Sequence, residues 1–211
     1  MHKVIRNCIP KDRINKHIKE YSESKIRHPG SMNTADPGKY KNAYDELVSD
    51  HVGMALTCVS GNYYKHNLPY MPHTDYKSHL GNSINIVIPL SYDGIQPRFI
   101  IFDQKWTYES ITWSMHLPVK QFAPFCGVNT AVKGCMHEYD VLNLTNKPIN
   151  KKLYNDHLYH LNEEDLFGMS GHVTYFNPGD IILFDNQNIH CTSMFDGSKL
   201  GLSLRYTRVR K

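Results

Sequence analysis

The pattern of apolar positions changes near residue 55. Before it, Ile14, Ile18, Tyr21 and Ile26 recur at roughly one helical turn. With Pro10 suited to a first turn, they predict a helix over residues 10–27, stopped by His28-Pro29-Gly30. Residues 31–38, with Asn33, Asp36, Pro37 and Gly38, read as a loop, and a second, less periodic helix is expected near 40–52. Beyond 55 the apolar residues come in short runs rich in β-branched and aromatic types, broken by Gly, Asn, Pro and Asp. These predict strands at Ala55–Tyr64, Met71–Tyr76, Ile84–Leu90, Arg98–Gln104, His172–Phe176, Asp180–Asp185, Ile189–Met194 and Leu200–Arg208, with a turn at Pro178-Gly179-Asp180. Residues 105–170 are mixed in character and read as a long insertion with partial helix. Many short strands joined by turns indicate an all-β sandwich or barrel, decorated by N-terminal helices, in a single domain spanning 1–211.

The last strand has the clearest alternation. Lys199, Gly201, Ser203 and Arg205 fall on one face, and Leu200, Leu202 and Leu204 on the other. The leucines are expected to pack on a core outside the barrel. The opposite face sets two cations around small residues, which leaves room for an anionic ligand. Arginine offers a carboxylate a two-pronged fork, and lysine a point charge.

Composition narrows the function classes. The 211 residues are 40% apolar, enough for one core, and contain no apolar run of membrane-spanning length. The first residues, MHKVIRNCIPKDRINKH, lack the apolar stretch of a secretory signal, so a cytoplasmic protein is expected. A net charge of +4, from 24 Lys and Arg against 20 Asp and Glu, is too mild to argue for nucleic acid. Five cysteines, an odd number with no C-x-x-C, argue against a disulfide framework or structural zinc. Cys191 directly follows His190 and on a strand points away from it, as a buried bystander. His137, His157 and His160, scattered in the insertion, read as surface histidines.

The chemistry-bearing motif is His73-Thr74-Asp75, with His190 far downstream. Two imidazoles and one carboxylate form the ligand set that holds non-haem Fe(II) on one face and leaves other positions open. On an extended strand His73 and Asp75 point to the same side, and the third ligand must come from elsewhere, for which His190 is the candidate. Upstream, Asn62 and Tyr64 are also two apart and offer hydrogen-bond donors suited to carboxylate oxygens.

Together these residues resemble the Fe(II)/2-oxoglutarate-dependent oxygenase superfamily, over roughly residues 55–104 and 171–208. The resemblance implies a double-stranded β-helix (jelly-roll) core. It implies Fe(II) bound by His73, Asp75 and His190, with 2-oxoglutarate and O2 as cosubstrates. A basic residue after the distal histidine grips the far carboxylate of 2-oxoglutarate in this superfamily. By spacing that residue is Lys199, as in prolyl hydroxylases, or Arg205, as in other branches, where Arg-x-Ser resembles Arg205-Tyr206-Thr207. The nucleic-acid demethylase branch carries two cations six apart and an N-x-Y before H-x-D, to which Lys199/Arg205 and Asn62/Tyr64 are similar. The strand Gly179-Asp180-Ile181-Ile182-Leu183-Phe184-Asp185 before His190, and the long insertion, resemble the phytanoyl-CoA dioxygenase-like branch more closely.

The implied activity is hydroxylation of an unactivated C–H bond of a small molecule such as an amino acid or metabolite, with succinate and CO2 as coproducts. Related halogenases lack the carboxylate ligand, so Asp75 disfavours halogenation. The insertion at about 105–170 is the expected lid, with Trp106, Tyr108, Trp113, His116, Lys120 and Phe122 as candidates for a substrate wall or for packing it onto the barrel. The alternatives are oxidation of a nucleobase or a protein side chain, or a non-catalytic metal-binding jelly-roll module. Nothing in the sequence fixes an oligomeric state.

Overall fold

The computed structural model describes residues 1–25, 32–35, 42–69, 73–75, 81–105, 151–159, 170–193 and 195–209. Among them nine strands and a few helices follow the order β1 (His2–Ile5), α1 (Lys11–Glu23), β2 (Met32–Ala35), α2 (Asp45–Val52), β3 (Leu56–His66), β4 (Ile84–Tyr92), β5 (Arg98–Lys105), α3 (Lys151–Leu153, running into a π-helical turn, Tyr154–Leu158), β6 (Gly171–Tyr175), β7 (Ile181–Asp185), β8 (Asn188–Thr192) and β9 (Lys199–Arg208). The protein is thus mostly β. A six-stranded sheet runs β1-β7-β4-β9-β3-β2, and a three-stranded sheet runs β6-β5-β8. Every pairing is antiparallel.

The register sorts the side chains of the large sheet into two layers. On its outer face Leu200, Leu202, Leu204 and Tyr206 of β9 join Ile86 and Ile88 of β4, and Ile14 of α1 and Val48 of α2 close over them. The leucine face therefore packs under the helices, as its alternation requires. The inner face carries Tyr64, Val87, Ile182 and Phe184, which pack against Phe99 and Ile101 of the small sheet. Pro89 sits in β4 beyond the residues that pair with β7, and the β4–β9 register shifts just after it. A residue without an N–H is accommodated where one neighbour has already ended.

Several elements differ from the sequence reading. Helix α1 ends at Glu23, because Ser24 turns to an extended backbone and its N–H bonds the Tyr21 carbonyl. The helix expected near 40–52 begins at Asp45 and stops at Gly53, which takes the left-handed conformation at φ 75°. Residues 32–35, read as loop, are strand β2, held by pairing with β3 from Met32↔His66 to Ala35↔Tyr63. Strand β1, absent from the sequence reading, pairs with β7 through Ile5↔Ile181 to His2↔Phe184. Of the predicted strand Met71–Tyr76, only residues 73–75 are described, and His73 makes a single bridge with His190. The described part of the insertion ends near Arg98, whose Nη1 donates to His157 Nδ1 at 2.8 Å. Arg98 lies on the outer side of the small sheet, on the face opposite Phe99. Among the described residues no helix is long and apolar enough to cross a membrane. Cys8, Cys58 and Cys191 are free thiols, and Cys126 and Cys135 lie outside the described residues.

A buried polar chain ties α1 to the large sheet. Tyr44 stands 2.5 Å from His17 Nε2, His17 Nδ1 stands 2.7 Å from the Tyr63 hydroxyl, and that hydroxyl donates to Glu20 at 2.5 Å. The chain is satisfied throughout by a neutral His17 carrying its proton on Nδ1. Burial, with Arg13 nearby, lowers the His17 pKa to about 4. The unfolded chain takes up this proton as pH falls through about 6.5, and the folded chain only near about 4. His17 therefore removes stability as pH drops through that window, by at most about 3 kcal/mol. Urea unfolding at pH 7 and pH 4.5 should show this loss, and His17→Gln should show a smaller difference between the two.

Candidate metal centre

His73 and Asp75 enter the site on an irregular segment fastened to the β7–β8 hairpin. The His73 N–H donates to the His190 carbonyl at 3.0 Å, and the His190 N–H returns to the His73 carbonyl at 2.9 Å. The Asp75 N–H then bonds the Asn186 carbonyl at 3.1 Å instead of continuing along β8. This break in the ladder is why 73–75 is no regular strand. It leaves Thr74 buried and outside the ligand group.

The bridge brings the three predicted ligands together. His73, Asp75 and His190 each place a ligating atom within 4.8 Å of the others. His190 Nε2 lies 3.6 Å from one Asp75 oxygen, and His73 Nε2 lies 4.0 Å from the other. The imidazole centroids are 4.1 Å apart. The Nδ1–H of His190 donates to the Asn188 carbonyl at 3.0 Å, which fixes the tautomer and leaves the Nε2 lone pair facing Asp75. Phe184 and Phe99 flank the ring, at 4.6 Å and 5.5 Å between centroids. Burial lowers the His190 pKa, against the pull of Asp75, and so favours the neutral, ligating form. Burial pushes the Asp75 carboxyl up, but His190, Arg205 and His73 outweigh it and hold the pKa at about 2.

Two side chains of the large sheet grip Asp75. Asn85 Nδ2 donates to Oδ2 at 2.7 Å, and Arg205 Nη2 donates to Oδ1 at 3.3 Å. Asn85 was not foreseen. It is the one polar side chain in the otherwise apolar run Ile84–Leu90, fully buried, and that exception was the available signal. Asn85 Oδ1 and Arg205 Nε are both buried with no hydrogen-bond partner among the described residues.

Farther along the same face lies Lys199, only 2% exposed. Its ammonium stands 5.8, 5.2 and 5.5 Å from the ring centroids of Tyr64, Phe176 and Phe195. Among the described residues no carboxylate faces it. Burial lowers its pKa to about 7, with Cys191 opposing. Tyr64 lies across Gly201, where a Cβ would come within 2.5 Å of the phenol ring. The phenol pKa is raised, by burial first and then by Asp75. Of the other predicted cofactor residues, Asn62 directs its amide to the Tyr63 carbonyl at 3.4 Å, and Thr207 pairs in register with Thr57 toward the end of β9. Trp106 and Trp113, with Tyr108, His116, Lys120 and Phe122, lie outside the described residues.

No family model and no curated protein matches the sequence. Solved structures do match the fold along nearly the whole chain. One is the non-heme α-ketoglutarate-dependent epimerase SnoN from nogalamycin biosynthesis, with a TM-score of 0.55 at 10% identity over 98% of this chain and 77% of that one. Another is HygX from Streptomyces hygroscopicus with nickel, 2-oxoglutarate and hygromycin B bound, at 0.55 and 10% over 99% and 83%. A third is a 2OG-Fe(II) oxygenase-family oxidoreductase from Burkholderia pseudomallei, at 0.58 and 8% over 99% and 84%. At such low identity these likenesses show a shared fold.

If Asn85 orients the ligating carboxylate, Asn85→Ala should weaken metal binding about 10- to 100-fold, the usual consequence of losing an outer hydrogen bond to a ligand. Calorimetric titration with Co(II) checks this, and circular dichroism verifies folding.

Proposed function

We propose that the protein is an Fe(II)- and 2-oxoglutarate-dependent oxygenase with a double-stranded β-helix core, acting on a small molecule. The observation that carries this reading is the buried Lys199, which no carboxylate among the described residues faces, on the same inner face as the residues that grip Asp75. A cation in such surroundings needs an anionic partner, and a dicarboxylic acid with one end at a metal would supply it. The donor set suits the metal: two imidazoles and one carboxylate, within 4.8 Å of one another. The neighbours' own ligands, nickel and 2-oxoglutarate in HygX, support the same choice.

In this reading His73, Asp75 and His190 hold Fe(II), and Lys199 with Tyr64 pairs the far carboxylate of 2-oxoglutarate. Arg205, whose Nε has no hydrogen-bond partner among the described residues, would pair the carboxylate beside the keto group, and Asn62 and Thr207 would border the cosubstrate. When bound, the metal and cosubstrate would supply the O2-dependent oxidation, with succinate and CO2 as coproducts. The chain itself positions and shields. Asn85 and Arg205 fix Asp75, Asn188 fixes the His190 tautomer, and Phe99 and Phe184 exclude water from one side of that ring. Residues 105–170, with Trp106 and Trp113, would cover the substrate. Hydroxylation of an unactivated C–H is the outcome proposed. The Gly179-Asp180 strand and the long insertion favour the phytanoyl-CoA dioxygenase-like branch, while the Lys199/Arg205 pair follows the two-cation arrangement of the demethylase branch.

Succinate release requiring both Fe(II) and 2-oxoglutarate is expected from the purified protein, and His190→Ala should abolish it in a folded chain. Calorimetry on the Co(II)-loaded protein isolates the cosubstrate cation. Lys199→Met should weaken 2-oxoglutarate binding at least about thirtyfold with Co(II) affinity unchanged. Unaltered cosubstrate affinity in that variant would assign the role to Arg205 instead. Because Lys199 must carry its charge to bind, affinity should also fall as pH rises above about 7, by up to about tenfold per pH unit.

A further inference from the structure

A second set of metal-ligating side chains lies away from this centre. His2 of β1, Asp103 of β5 and His172 of β6 each place a ligating atom within 4.8 Å of the others, all three exposed. The His172 Nε2–H donates to Asp103 Oδ1 at 2.7 Å, and the imidazoles of His2 and His172 lie against each other with centroids 4.0 Å apart.

Two features make this more than a chance surface cluster. First, the carboxylate is preset. Ser170 Oγ donates to Asp103 Oδ2 at 2.7 Å, and the Asp103 N–H bonds the Ser170 carbonyl at 2.9 Å. Oδ1 is thereby turned toward His172, the kind of outer hydrogen bond that orients metal ligands. Second, the donors stand on fixed backbone. His2 pairs with Phe184, and the β5–β6 register runs through Ile101↔His172 and Phe102↔Gly171, directly before Asp103.

We infer that His2, Asp103 and His172 form a second, solvent-facing site for a divalent transition ion of the Zn(II), Co(II), Ni(II) or Cu(II) class. Two nitrogens and one oxygen select this group over Mg(II) or Ca(II), which prefer all-oxygen shells. Because β1 belongs to the large sheet and β5 and β6 to the small one, a bound ion clasps the two sheets together. Its role is stabilisation, since a ligand that binds only the folded chain raises its melting temperature.

The test counts Zn(II) per chain after equilibrium dialysis of untagged full-length protein, by mass spectrometry of the metal. Two ions per wild-type chain are expected, and one each in His2→Ala/His172→Ala and in His73→Ala/His190→Ala. In the second variant, Zn(II) should still raise the melting temperature, and adding Asp103→Asn should weaken its binding at least about tenfold. One ion in the wild type that survives His2→Ala/His172→Ala would overturn the inference, as would two ions retained in that variant. Loss of the first centre alone leaves the count at this site unchanged, so the two assignments fail separately.

Discussion

The reciprocal main-chain hydrogen bonds between His73 and His190 are the constraint on which the candidate centre depends. They join a short irregular segment to a strand from the far end of the chain, and they do so at the two residues whose imidazoles must meet. Backbone bonds fix position more tightly than side-chain bonds, because few soft torsions separate them from the ligating atoms. Asp75 is then placed by the next contact, to the Asn186 carbonyl of the β7–β8 turn. One hairpin therefore carries one ligand and positions the other two.

The large sheet divides its labour by strand parity. Its outer face is a hydrophobic layer under α1 and α2, and its inner face carries the polar side chains Asn85, Arg205, Lys199 and Tyr64. Gly201 is where the two demands meet. Leucines on either side of it secure the strand, and its missing Cβ admits the Tyr64 ring over the sheet. A one-residue slip of β9 would bury Lys199 and Arg205 among aliphatic side chains, so the hydrophobic layer also fixes the register of the charged one.

This parity is why much was legible in the sequence. The alternation of β9, the apolar run of β4 and the triad with its two cations are all local patterns or pairs of local patterns. Strands β1 and β2 were not legible, because each is four residues long at a sheet edge and owes its conformation to a partner far away in sequence. Asn85 carried a signal only as an exception within an apolar run. The regular strand expected at His73–Asp75 failed for the opposite reason. His73 and Asp75 do come to one place, but a turn carbonyl on another element decided the path between them. The trio of His2, Asp103 and His172 left no trace in sequence, since its members come from three strands in two sheets.

Charge balance explains why a dianion suits the inner face better than a neutral ligand. Among the described residues there, one carboxylate, Asp75, stands against two cations, Arg205 and Lys199. Arg205 already spends one nitrogen on Asp75, so that single negative charge is shared before any metal arrives. A divalent ion on the triad would enlarge the positive surplus in a region of low dielectric, where unbalanced charge is costly. Burial itself draws Lys199 toward neutrality, as it does any cation removed from water. In the proposed reading a dicarboxylate would relieve that surplus, with Arg205 and Lys199 as its partners. Binding of metal and binding of dianion should therefore reinforce each other. That coupling follows from the charges on β9 and at Asp75.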